Sequence, residues 1–148
     1  MYSRMWDQGK GDLKTYGIAG PSKDGGRTFP SQGLTSSGID WPQPDCQGTM
    51  RKVASGTGAE CWALIAPYGA KRANMTLSYS CGYYPGGTPP NLSWRQDRVL
   101  WAGPSAYSSM DTSRDGLTYF VLYERGEKTS YETLHLTQVL APQWKEGA

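Results

Sequence analysis

The chain has no long apolar run, almost no histidine and no excess of charge of either sign. Each lack closes off a class. Among its 148 residues, no stretch approaches the 18 or so apolar residues of a membrane-spanning helix. The opening Met-Tyr-Ser-Arg-Met-Trp-Asp lacks a hydrophobic signal core. With 15 basic and 13 acidic residues, the charge points neither to nucleic acid nor to a membrane surface as a partner. The single histidine, His135, falls in the alternating run Thr133-Leu-His-Leu-Thr137 and reads as a sheet-face residue. Cys46, Cys61 and Cys81 are odd in number and none has metal-ligand spacing. They are read as free, buried thiols, with room for at most one internal disulfide.

What is present points to β structure. There are 19 Gly, 10 Pro, 6 Trp and 10 Tyr, and no helical period lasts beyond about a turn. Aromatic and β-branched residues come in short runs cut by Gly, Pro, Asn and Asp. The expected strands are Lys14–Ala19, Gly48–Ala54, Cys61–Ala66, Ala73–Ser80, Arg98–Trp101, Ala106–Met110, Leu117–Glu124 and Tyr131–Val139. Short joins such as Gly56-Thr-Gly58, Pro67-Tyr-Gly69, Arg114-Asp-Gly116 and Gly126-Glu-Lys128 make this an antiparallel meander.

An internal repeat refines the class. Asp45-Cys-Gln-Gly-Thr-Met50 leads to strands at 61–66 and 73–80; Ala106-Tyr-Ser-Ser-Met110 leads to strands at 117–124 and 131–139. Repeated antiparallel units are what β-propeller blades look like, with Tyr83–Pro90 as an inserted loop. The expected fold is all-β, about two and a half propeller blades. Residues 1–38 end one blade, 39–103 form a second, and 104–148 begin an incomplete last one. Open blades expose sheet edges and apolar faces. The chain is therefore expected to be a piece of a larger ring or to assemble with other copies.

Two segments carry possible chemistry. Tyr107 and Glu124 flank the turn signal Ser113-Arg-Asp-Gly116, so paired strands put a phenol on one strand and a carboxylate near the end of the next. Ser22-Lys-Asp-Gly-Gly-Arg-Thr-Phe29 reads Ser-x-Asp-x-Gly-x-Thr-aromatic, a turn device. Asp24 accepts backbone N–H bonds, Gly25 and Gly26 permit positive φ, Thr28 adds a hydroxyl contact and Phe29 plugs the blade. Its role is structural.

With these motifs the chain resembles the sialidases. Ser22–Phe29 matches their Asp-box (Ser22, Asp24, Gly26, Thr28, Phe29). Lys71-Arg-Ala-Asn-Met-Thr-Leu-Ser-Tyr-Ser80 is similar to a segment carrying an arginine just before a strand. Ala102–Met110 and Val121–Glu127 resemble the last two motifs, in order and at similar spacing. Leu100–Ser109 and Val121-Leu-Tyr-Glu124 are most similar to the lysosomal branch and its bacterial relatives. The resemblance covers nearly the whole chain, and only the C-terminal part of the family's six-bladed propeller.

The resemblance implies an exo-α-sialidase, which removes terminal sialic acid from glycoproteins, glycolipids or oligosaccharides with retention of configuration and needs no metal or other cofactor. Sialic acid carries a carboxylate on its anomeric carbon. The planar fork of arginine holds such a group in bidentate, charge-assisted hydrogen bonds. Arg72 matches the family's third carboxylate-binding arginine, and Arg4 lies where the second is expected. Tyr107 matches the nucleophile: a carboxylate there would be repelled by the substrate, a neutral phenol is not. Glu124 matches the glutamate that orients the first arginine. No residue here matches that first arginine, the acid/base aspartate or the base serving the tyrosine, so the 148-residue chain alone is expected to be inactive. The partners implied are sialylated glycans, together with further blades or other chains completing the ring. The alternative is a non-catalytic carbohydrate-binding or interaction module on the same scaffold. Two glycosylation sequons, Asn74-Met-Thr76 and Asn91-Leu-Ser93, lean toward a secretory or lysosomal setting; Asn91, in the Pro-rich loop, is expected to be the better placed.

Overall fold

The computed structural model describes residues 2–6, 15–19, 24, 27–28, 44, 46–53, 60–82, 94–127 and 132–141. Every regular element among them is a strand: β1 (Tyr2–Trp6), β2 (Thr15–Ala19), β3 (Thr49–Val53), β4 (Glu60–Pro67), β5 (Ala73–Gly82), β6 (Arg95–Thr112), β7 (Thr118–Arg125) and β8 (Thr133–Leu140). β1 and β2 pair with each other, and β3 to β8 form one antiparallel sheet in sequential order. The meander expected from the sequence is there. β1 is an additional strand, which the residue pattern does not announce.

The sheet curls into a half-barrel because its two halves share one apolar core. Strands β3–β5 contribute Val53, Cys61, Ala63, Ile65, Met75, Leu77 and Tyr79; the later strands contribute Met110, Tyr119, Val121, Tyr123 and Val139. The alternation of β7 shows why. Tyr119, Val121 and Tyr123 point inward and are buried, while Phe120 and Leu122 point outward and stay exposed. Each large apolar side chain taken out of water contributes about 1.5–3 kcal/mol. A second, smaller cluster, Leu64 and Ala66 with Met50, Tyr68 and Trp94, covers the outer face of β4.

Two expectations need correction. The turn-like composition of Ala102-Gly-Pro-Ser105 predicts a break between two strands. The structure runs one strand, β6, through it. Gly103 lets the Trp101 indole lie against the backbone: a Cβ at 103 would come within 2.7 Å of Trp101 Nε1. Pro104 lacks an N–H, but it sits where β6 leaves β5 for β7, and its carbonyl accepts the Gly126 N–H at 3.1 Å. A proline at that change of partner forfeits little. The cysteines are the second correction. Cys61 and Cys81 are direct partners across β4 and β5, with Cα atoms 4.1 Å apart, and form a disulfide. Cys46 is a buried thiol outside that bond.

The turn signals at both hairpins hold. Gly69 and Gly116 have positive φ, 109° and 71°. In the β6–β7 turn, Asp115 accepts from Ser113 Oγ at 2.5 Å and from the Leu117 N–H at 3.0 Å, which holds its carboxyl below the usual range. Gly56-Thr-Gly58 and the loop at Tyr83–Pro90 lie outside the described residues.

The second half of β6 is sealed on its open side. β7 pairs with one edge. On the other, the carbonyls of Ala106, Ser108 and Met110 accept from Cys46 Sγ (3.5 Å), Thr49 Oγ1 (2.7 Å) and Arg51 Nε (3.1 Å). Ser108 Oγ in turn donates to the Ile65 carbonyl at 2.9 Å. The two matching segments of the internal repeat thus lie side by side and run in the same direction. Thr49→Val keeps the shape and removes one of these bonds. It is expected to cost about 1 kcal/mol in urea denaturation, whereas Thr49→Ser should retain wild-type stability.

Candidate functional site

Tyr107 owes its position to a break in the ladder. Ser105 pairs with Arg125 and Ser108 with Tyr123, so Ala106 and Tyr107 together oppose Glu124. This is a β-bulge, which leaves one residue unpaired and re-aims its side chain. Ala106 is buried, while Tyr107 is 40% exposed. The N–H that the bulge releases is taken by Glu124, whose Oε2 accepts it in a long bond of 3.4 Å. The sequence spacing predicts a phenol and a carboxylate on neighbouring strands. The bulge joins the two residues through the backbone N–H of Tyr107.

Arg72 arrives from the turn between β4 and β5. Its carbonyl accepts the Ser105 N–H at 2.9 Å, which ties the turn to β6 just before the bulge. Its guanidinium carbon lies 5.6 Å from the centre of the Tyr107 ring, within cation–π range. The neighbouring Lys71 is exposed and Arg72 half-buried, so Arg72 is the cation of this pair that faces the phenol. The structure therefore gathers Arg72, Tyr107 and Glu124. It offers a fixed cation, a solvent-accessible phenol and a carboxylate on one rim.

The remaining candidates lie elsewhere. Arg4 is in β1, across from Gly17 of β2, where the backbone pairing is what the structure describes. In the Asp-box, Asp24 accepts the Thr28 N–H at 2.9 Å and the Thr28 hydroxyl at 2.6 Å, the turn-closing contacts expected of it. Ser22, Gly26, Phe29 and Asn91 lie outside the described residues. Asn74 is exposed, near the start of β5, with φ of 58°. His135 is half-buried on β8, its ring edge-on to Tyr123 at 5.4 Å.

Three features of this region are not readable from sequence. The bulge has no composition signal. The side-chain seal by Cys46, Thr49 and Arg51 is hinted at only by the repeat. Trp101 also has an unforeseen role: the Arg125 guanidinium lies 4.6 Å from its ring centre. Beside that pair opens a cleft of about 320 Å³ lined by Trp101, Arg125, Gly126, Glu127, Glu132 and Thr133. Among the described residues no group of three or more His, Cys, Asp or Glu could hold a metal ion, and no helix is long and apolar enough to cross a membrane.

No protein-family model matches this chain, and no solved structure matches it.

Proposed function

We propose that the chain is part of an exo-α-sialidase built as a β-propeller, with Tyr107 as nucleophile, Arg72 as a carboxylate-binding arginine and Glu124 as the carboxylate that orients the first arginine of the site. The observation that carries this reading is the meeting of Arg72, Tyr107 and Glu124 on one rim, from three separate segments of the chain. They are the residues that the motif resemblance singles out, and nothing in the sequence distance of Arg72 from the other two requires it to meet them.

The chemistry suits the groups. A sialoside carboxylate takes bidentate hydrogen bonds from the Arg72 guanidinium. The Tyr107 oxygen attacks the anomeric carbon, its proton going to a base, while a general acid protonates the leaving oxygen. Water then displaces the tyrosyl oxygen from the opposite face, and two inversions give net retention. With an ordinary pKa near ~10, a phenol needs that base. In this reading the base, the acid and the first arginine come from further blades.

The scaffold supports the same reading. Matching segments of neighbouring repeats lie side by side and parallel at 46–51 and 106–110, as the inner strands of adjacent blades do around a common axis. The outer face of β7 and β8 leaves Phe120, Leu122, Leu134, Leu136 and Leu140 exposed. A further blade would cover them.

The test is hydrolysis of a fluorogenic sialoside. The 148-residue protein alone is expected to release no fluorophore above background, and the same chain joined to the coding sequence upstream of it is expected to be active. Turnover by the short chain alone overturns the division of labour; inactivity of the extended protein, correctly folded, overturns the enzyme reading and favours a binding module.

A further inference from the structure

We propose that the cleft beside Trp101 is the leaving-group subsite, taking the uncharged sugar ring to which the sialic acid is joined; this assignment rests on the sialidase reading above. The cleft adjoins the cluster. Pro104 and Ser105 carry β6 from one strand partner to the next. The Ser105 N–H reaches the Arg72 carbonyl at 2.9 Å, and the Pro104 carbonyl accepts the Gly126 N–H at 3.1 Å. Arg72, the cation for the sialic acid carboxylate, and Gly126, in the wall of the cleft, are thus fastened to two consecutive residues of β6. Arg125 and Gly126 also follow Glu124 directly in the chain.

The lining suits an uncharged sugar. It offers the Arg125 guanidinium, the Glu127 and Glu132 carboxylates and the Thr133 hydroxyl. Carboxylates accept hydrogen bonds from hydroxyl groups and a guanidinium donates to them, a mixture that matches a neutral polyol. With two carboxylates against one guanidinium, the same lining repels an anion. A sialoside therefore has one favoured orientation on the rim, its carboxylate on Arg72 and its neutral ring in the cleft. The donor is fixed before the ligand arrives. The Arg125 guanidinium lies 4.6 Å from the Trp101 ring centre and hydrogen-bonds the hydroxyl of buried Tyr123. Trp101 is itself packed on the core. The cleft volume of about 320 Å³ is at the small end of ligand sites, which run from about 300 to 1,000 Å³. It suits one ring and not a chain of them.

The test has a binding arm and a kinetic arm. In the first, the 148-residue protein is titrated with methyl β-galactoside, an uncharged hexoside, and NMR follows the Trp101 indole N–H and the Gly126 amide. We expect saturable shifts at both, with weak, millimolar affinity. Glu132 is exposed, so Glu132→Ala should weaken binding about tenfold without moving the melting curve. The 6-carboxylate analogue of the hexoside should bind at least about tenfold more weakly than the hexoside itself. No saturable shift in the cleft, or equal binding of the two sugars, overturns the proposal. In the second arm, the protein extended by its upstream sequence is given a sialylated disaccharide and an aryl sialoside. Glu132→Ala should lower kcat/KM for the disaccharide about tenfold more than for the aryl sialoside; an equal effect on both overturns the leaving-group assignment. An extended wild type that turns over neither substrate is the failure of the enzyme reading. The hexoside titration needs no turnover, and it then decides whether the cleft holds a neutral sugar.

Discussion

Tyr107→Phe is expected to lower kcat for a sialoside by at least about a thousand-fold in the protein extended by its upstream sequence, since loss of a covalent nucleophile removes a whole reaction path. The fold should not notice the change. Tyr107 is among the exposed large side chains of the sheet. Its contact with Glu124 runs through the backbone N–H, which phenylalanine retains, and the ring beneath Arg72 is unchanged. The substitution therefore deletes one oxygen and little else. Matching melting curves with lost turnover would assign the oxygen to the chemistry; wild-type rates in the variant would remove Tyr107 from the mechanism. Glu124→Gln probes the same cluster differently. It keeps an oxygen able to accept the Tyr107 N–H and removes the charge, so a loss of rate there reports the electrostatic role.

The largest expected effect on stability lies in the core between the two halves of the sheet. Tyr119 is fully buried, with the Tyr79 ring centre 6.1 Å away. Tyr119→Ala should cost about 3–5 kcal/mol, the usual range for emptying a large aromatic site. Tyr119→Phe should behave in the opposite way. The Tyr119 hydroxyl is buried and has no hydrogen-bond partner among the described residues, and its burial, aided by nearby Asp97, pushes its pKa up. Deleting a buried hydroxyl that none of these residues engages is expected to leave stability equal or improved. Urea unfolding of the three proteins decides. If Tyr119→Phe is destabilised as much as Tyr119→Ala, the packing described for this core is wrong.

Most of the fold is legible in the sequence because strands announce themselves as short aromatic and β-branched runs cut by turn residues. The run Tyr119-Phe-Val-Leu-Tyr is apolar throughout, which announces a strand without saying which face is buried, and Ser113-Arg-Asp-Gly116 announces its turn by the φ that glycine supplies. Tertiary geometry is less legible. Gly103-Pro104 has the composition of a turn, yet the chain stays extended because a change of strand partner there makes the missing N–H harmless. Pairing of Cys61 with Cys81 depends on hairpin register, which is set by the irregular turn at Gly69–Arg72 and not by cysteine spacing. In the site, motif context names Arg72, Tyr107 and Glu124. The bulge that joins Tyr107 to Glu124 is a two-against-one register, which no single strand encodes.

The most direct measurement of the central claim asks whether this rim recognises the substrate's carboxylate. The 148-residue protein is titrated with N-acetylneuraminic acid by NMR, following the Arg72 side-chain N–H and the Tyr107 amide. We predict saturable shifts at both, with a dissociation constant of about millimolar, as one charge-assisted site allows. They should vanish in Arg72→Ala and with the methyl ester, which lacks the charge. Equal binding of acid and ester, or shifts that bypass Arg72 and Tyr107, would contradict the account.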